Sequence, residues 1–556
     1  MRRLIFALLR SLSVVGLAIG FAFFAASLTP SLMPRSFVVQ GVLSGISAAV
    51  GYLVGVMLVW LWTYMELPRP RAGLPVYRAV VLVLGILAAI GFLWQAAGWQ
   101  NSIRDLWHME PVETADPFKL AGIAFLVFMV GILIGRLFLF TWRWFSRRLA
   151  RYVPQRVSNV IGGVIAIALF WSVVEGVLLR AGLHLADSSF QKVDALIEAD
   201  VPQPTASGKT GSPASLVAWN GLGRQGRHFV DSGPHAADIQ GFWNADAKEP
   251  IRVYVGLNNA ATIEERAKLA LEEMKRQGAF DRSLLVIIAP TGTGWVDPAA
   301  MDTLEYLQHG DVASVALQYS YLTSWLSLLV EPEYGADSAK ALFREVYGYW
   351  TKLPHDKRPK LYLHGLSLGS LNSQLSADLF DIVADPYQGA LWSGPPFESE
   401  MWRSVTAGRD PGSPAWLPRF RDGSIIRFTD QTNALDLPGA AWGPIRMVYL
   451  QYASDAVTFF DPHSFYREPD WMKAPRGPDV SPSFRWFPVL TMLQLLVDMA
   501  TATTSPMGHG HVYAPQHYID AWIAVTAPDI APDRIEALKR HFETEASSGA
   551  ASGDND

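Results

Sequence analysis

Leu361-Tyr362-Leu363-His364-Gly365-Leu366-Ser367-Leu368-Gly369 is the stretch from which the fold of this 556-residue chain is read. Four residues of strand character lead into Gly-x-Ser-x-Gly, and Ser370–Phe380 continues with helical spacing. Strand, turn and helix in this order make a nucleophile elbow, which carries a serine hydroxyl at a helix amino terminus. Glycines flank the serine because a Cβ would clash in so tight a turn. The bare five-residue pattern is common, and its flanks supply the specificity.

Short apolar strands recur at Ile251–Gly256, Leu284–Pro290, Val312–Gln318, Gly389–Trp392 and Arg446–Tyr452, with Lys360–His364 leading into the elbow. Helical patterns fall between them at Ile263–Gln277 and Asp337–Leu353. Apolar strands alternating with helices predict an α/β domain, mostly parallel, with helices on both faces. Its ligands are expected at the carboxyl ends of the strands, where Ser367 stands.

A serine hydroxyl needs a base, and in this fold the acid and then the histidine follow the serine along the chain. Asp455, just past the strand Arg446–Tyr452, is the expected acid; Asp461 and Asp470 sit in Pro-rich sequence further on. The base falls in Met507-Gly508-His509-Gly510-His511-Val512-Tyr513. Its glycine-flanked position at a loop tip favours His509, whereas the following Tyr513 favours His511, so both stay candidates. The two histidines have no third ligand at metal spacing. Backbone N–H groups must also receive the developing oxyanion. Leu368 is one expected donor, and Thr291-Gly292-Thr293-Gly294-Trp295, directly after a strand, offers Thr291 and Gly292 as the second. That loop lacks the Gly-Lys-Ser/Thr ending of a phosphate cradle. No cofactor is implied. The Pro- and Trp-rich run from Gly394 to Trp442 predicts a cap segment, and Gln318–Val330 a second wall of the site.

The other half of the chain is of a different kind. Half of all residues are hydrophobic and 17% charged, against roughly 25% charged in ordinary soluble proteins. Five apolar stretches, 4–28, 38–63, 77–98, 119–141 and 158–181, are long enough to cross a bilayer, which takes ~20 residues per helix. Gly51…Gly55 and Gly131…Gly135 carry the small-xxx-small spacing of packed membrane helices. Arg10, Arg136, Glu175 and Arg180 fall near the ends of these stretches, where long side chains reach the interface. Arginine-rich connections alternate with arginine-poor ones, the richest holding Arg143, Arg147, Arg148, Arg151 and Arg156. Basic loops stay cytoplasmic, which predicts a cytoplasmic amino terminus and a catalytic half outside. Arg2-Arg3 and Ala25-Ala26-Ser27 leave a cleaved signal peptide as an alternative for the first stretch.

Residues 1–181 hold 16 Lys/Arg against 6 Asp/Glu, a net +10, and residues 182–556 hold 30 against 45, a net −15. An acidic half has no footprint for nucleic acid. Zero cysteines exclude disulfides, thiolate nucleophiles and Cys-ligated metal. The expected organisation is a transmembrane helical domain over 1–181, a linker over 182–214, a catalytic domain over 215–543 and a disordered tail over 544–556.

These residues resemble a bacterial membrane-bound α/β-hydrolase family that joins a multi-span amino-terminal domain to an extracytoplasmic hydrolase domain. The resemblance covers nearly the whole chain. It is strongest at Ile251–Gly256, Pro290–Asp297, Gln318–Leu322, Ser367–Ser370 and Gly508–His511. It implies Ser367 as nucleophile, with Asp455 and a histidine of the last motif completing a triad. Relatives carry Glu before the nucleophile and Pro after the acid, where this chain has Leu366 and Ala456. The expectation is a serine ester hydrolase in the cytoplasmic membrane of a bacterium, with the lipid bilayer as partner and a lipid or envelope ester as substrate. An acyltransferase using the same acyl-enzyme, or a non-catalytic scaffold with a hydrolase fold, are the alternatives.

Overall fold

The computed structural model describes residues 11–68, 74–173, 176, 194, 196–198, 201–322 and 332–553. The chain forms two compact units, one of Met1–His184 with Phe460–Thr501, the other of Leu185–Phe459 with Ala502–Asp556. The expected catalytic domain was continuous. Instead the chain leaves it five residues after Asp455 and returns nine before His511.

In the first unit, helices Phe37–Tyr64, Leu74–Arg104 and Pro117–Leu149 are long and apolar enough to cross a membrane. This is three such helices among the described residues, where the sequence predicts about five. Helix Val14–Ser27 has 14 residues, about 21 Å at 1.5 Å per residue, against a hydrocarbon core of about 30 Å. Helix Gln155–Ser172 opens on Gln155, Arg156, Ser158 and Asn159, so its apolar part is short among the described residues. Residues 174, 175 and 177–181 of that fifth stretch, with Glu175 and Arg180, lie outside the described residues, as does Arg10. Gly51 and Gly55 do pack closely: a Cβ on Gly55 would stand 2.6 Å from Gly16 Cα. Gly135 has open space instead. Arg136 donates to the Ser11 hydroxyl.

A polar seam runs through this apolar unit. Arg35 Nε donates to Asp498 Oδ1 at 2.9 Å, and both side chains are buried. Leu32 N–H reaches Asp498 Oδ2, Gln494 donates to the Thr29 carbonyl, and Gln100 accepts from Arg35 N–H. Buried charges persist when paired and hydrogen-bonded in this way. The pair fastens Leu490–Ala500, a short apolar helix 463 residues from Arg35, to the first helices.

The second unit is built on seven parallel strands: β1 Ile251–Val255, β2 Leu284–Ala289, β3 Val312–Leu317, β4 Lys360–Leu366, β5 Gly389–Ser393, β6 Ile426–Thr429 and β7 Arg446–Leu450. Their order is β1-β3-β2-β4-β5-β7-β6, with β4 central. Six match the predicted strands. The seventh, β6, lies inside the run expected to be cap and pairs with β7, so that run supplies a sheet edge as well. Its Arg427 obscures the strand pattern. The guanidinium is spent on the carbonyls of Gly423, Leu435 and Ala440 and lies over Trp442.

Ile263–Gln277, Pro332–Trp350 and Leu368–Gln374 pack together as one helical group, and Pro298–Leu307, Pro515–Thr526 and Pro532–Gly553 as another. A strand buried on both sides can therefore be apolar throughout, as β2 is, while β3 departs only at Ser314, whose hydroxyl donates to the Ile251 carbonyl. Two expected boundaries shift. Thr210, inside the expected linker, is fully buried and donates to the Arg252 carbonyl. The last helix, Pro532–Gly553, runs past the expected end of the catalytic domain at 543.

Candidate active site

Ser367 lies between β4 and helix Leu368–Gln374 at φ 56°, ψ −127°, a backbone conformation that a non-glycine residue holds only under strain. Two close approaches impose it. A Cβ on Gly365 would stand 2.3 Å from Gly369 C and O, and one on Gly369 would stand 2.1 Å from the Ala289 carbonyl oxygen. The elbow is thus pressed against itself and against the end of β2. Ser367 N–H donates to the Ser393 carbonyl at the end of β5, 3.0 Å away. The side chain is buried, 6% exposed.

His511 and Asp455 are brought together: His511 Nδ1 is 2.7 Å from Asp455 Oδ2. A carboxylate beside Nδ1 makes that nitrogen the N–H donor and leaves Nε2 as the acceptor. Nε2 is buried and has no hydrogen-bond partner among the described residues. Asp455, fully buried, also accepts from Val457 N–H, Thr458 N–H, Thr458 Oγ1 and Tyr513 Oη. Gly510 N–H donates to Ser454 Oγ at 2.9 Å, which seats the histidine turn against the acid loop. The ring lies close to the elbow as well. A Cβ on Gly394, next to Ser393, would be 2.7 Å from His511 Cε1.

Of the two candidate bases, His511 is the one that meets Asp455. His509 instead forms a β-bridge with Val512 across the turn. Tyr513 was expected to steady the histidine ring and does so at one remove, by holding Asp455. Burial raises its hydroxyl pKa well above the usual range, and the Asp455 charge adds to this, so it stays a donor.

The expected oxyanion donors divide. Leu368 N–H is the first amide of its helix and has no intrahelical acceptor. Thr291 N–H is already spent on the Trp295 carbonyl and Gly294 N–H on the Thr291 carbonyl, each at 2.9 Å, closing the turn. Tyr254 Oη donates to the Gly294 carbonyl and fixes that turn from below. Leu366 and Ala456, where relatives differ, are both buried. Of the second expected wall, Gln318 holds Leu257 N–H and Asp194, and 323–330 lie outside the described residues.

Sequence reasoning missed Asp297, Ser393 and Tyr518. Asp297 Oδ2 accepts from Tyr518 Oη at 2.9 Å, and Tyr518 Oη stands 2.9 Å from Ser393 Oγ. Burial pushes the Asp297 carboxyl up to about 7, against the hydrogen bonds from Tyr518 and Ala299 N–H. Its place at the end of Pro290–Asp297 was the one available signal.

Residues 251–538 match the model of an alpha/beta-hydrolase family, and residues 28–234 match the model of that family's N-terminus. No curated protein and no solved structure matches the chain.

Proposed function

The chain belongs to this alpha/beta-hydrolase family, and from that premise we propose that it is a membrane-anchored serine hydrolase cleaving carboxylic esters. The observation that carries the reading is the 2.7 Å pair His511–Asp455 beside an elbow serine, with His511 Nε2 left free to accept. Ser367 Oγ attacks the ester carbonyl while His511 Nε2 takes its proton. Asp455 holds the ring in the right tautomer and stabilises the imidazolium. Leu368 N–H and a second backbone donor from the loop after β2 receive the oxyanion. The imidazolium then protonates the departing alkoxide. Water, activated by the same nitrogen, releases the acid from the acyl-enzyme.

Three long apolar helices support a bilayer as partner, and a catalytic unit tethered there is suited to lipid or envelope esters. The alternation of arginine-rich and arginine-poor connections supports an amino terminus in the cytoplasm of a bacterium and a catalytic unit outside its cytoplasmic membrane, an orientation that requires the first and fifth apolar stretches to cross along with the three long helices. The test is labelling of purified full-length protein by a fluorophosphonate, wild type against Ser367→Ala, followed by a panel of short- and long-chain esters. Labelling that depends on Ser367, with turnover of an ester, is the expected result. Folded wild-type protein that takes no label would overturn the reading.

A further inference from the structure

The chemistry above uses one buried carboxyl, Asp455, and leaves another, Asp297, unused. Asp297 ends the loop after β2 and caps helix Pro298–Leu307, its Oδ1 accepting Ala299 N–H at 3.0 Å. From Oδ2 a chain of hydrogen bonds runs through Tyr518 Oη to Ser393 Oγ, each step 2.9 Å. All three side chains are buried. Ser393 is where that chain meets the reaction. Its carbonyl holds Ser367 N–H, and the next residue, Gly394, lies against the His511 ring.

A tyrosine hydroxyl has a single proton to donate. When Asp297 is ionised, Tyr518 must donate to it and accept from Ser393. When Asp297 is protonated, it donates to Tyr518, and Tyr518 donates to Ser393. The chain therefore has two proton orders, and the charge on Asp297 selects between them. Tyr518, Asp302 and His511 are the groups that bear on Asp297, and Tyr452 bears on Tyr518. Burial places the changeover at about 7. The ionised form also attracts the imidazolium that forms on His511, across an interior where such attraction is poorly screened.

We propose that Asp297 is a positioning residue for the Ser367 elbow and His511, acting through Tyr518 and Ser393, and that its ionised form supports the faster reaction. The proposal rests on Ser367 as nucleophile. It is tested by the second-order rate of fluorophosphonate labelling of full-length protein between about pH 5.5 and 8.5, in wild type, Asp297→Asn and Tyr518→Phe. Asparagine keeps the helix cap and mimics the protonated acid at every pH, because its amide donates to Tyr518.

The ratio of wild type to Asp297→Asn is expected near one at about pH 5.5 and roughly ten at about pH 8.5, in keeping with a sub-ångström loss of alignment. Tyr518→Phe, which cuts the chain and keeps Asp297, loses the same alkaline gain; it serves alone if Asp297→Asn does not fold. A merely structural role would lower Tm without giving either ratio a pH dependence. Ratios flat across pH, with labelling intact, overturn the proposal and leave the nucleophile standing. Wild type that does not label overturns both.

Discussion

Replacing Gly369 with alanine asks whether the elbow must touch the end of β2. An added Cβ would lie 2.1 Å from the Ala289 carbonyl oxygen and 3.0 Å from that of Pro290. Ordinary contact begins at 3.4 Å, so the two segments must part by about 1 Å. Both obstacles are backbone, so no rotamer change relieves the clash. Ala289 is also in register with Gly365 across β2 and β4, and moving it disturbs the ladder beside Ser367. Overpacking of this kind costs about 1–3 kcal/mol of stability. The larger effect falls on rate, since a displacement of about 1 Å between reacting groups costs on the order of 100-fold. Thermal unfolding and the fluorophosphonate labelling rate, measured on one preparation, separate the two. Gly241→Ala is the matched control. It lies in helix Ala236–Trp243 with nothing within 4 Å of its added Cβ, so it should stabilise by up to ~1 kcal/mol and leave labelling unchanged. A folded Gly369→Ala protein that labels within about threefold of wild type would refute the reasoning.

His511→Gln should lower ester turnover by roughly 10³–10⁴-fold, whereas His509→Gln should leave it nearly unchanged; the reverse order in a turnover assay would displace His511 as base. Arg35→Met strands the buried Asp498 carboxylate and should destabilise the first unit by about 3–5 kcal/mol in detergent denaturation. Arg35→Met with Asp498→Leu should recover most of that loss, and a double variant no better than the single would argue against the pair. Asp297 makes stability depend on pH. Its carboxyl rises from 3.8 to about 7 on folding, so the native state binds the extra proton between those values and loses stability as pH rises through them. The loss is complete above about 7 and amounts to at most ~4 kcal/mol. Asp297→Asn should match wild type in Tm near pH 4 and exceed it near pH 8; equal Tm at both values would show that the carboxyl is not buried as described.

Much of the second unit is legible along the chain because its signals are local. A run such as Leu284–Ala289 is apolar on both faces, and such runs separated by helices admit a parallel sheet. Gly365 and Gly369 mark the elbow because the turn and the neighbouring strand leave no room for a Cβ at either. Asp455 stands out as a candidate because it falls shortly past β7, near the carboxyl ends of the strands. The sequence also separates an apolar basic half from an acidic one by composition alone.

What the chain leaves open is settled by contacts between residues far apart in it. His509 and His511 share one local pattern, and only the folded chain sets His511 against Asp455, 56 residues away. Asp297 reads as an ordinary helix cap until Tyr518, 221 residues on, places it two hydrogen bonds from Ser393. Phe460–Thr501 looks like one more loop of the hydrolase half, yet Asp498 pairs with Arg35 and assigns it to the apolar unit. Periodicity and turn chemistry act over a few residues and so determine the elements. Partners for buried charges and hydroxyls are chosen by desolvation, which acts only once the elements have packed, and that choice belongs to the tertiary structure.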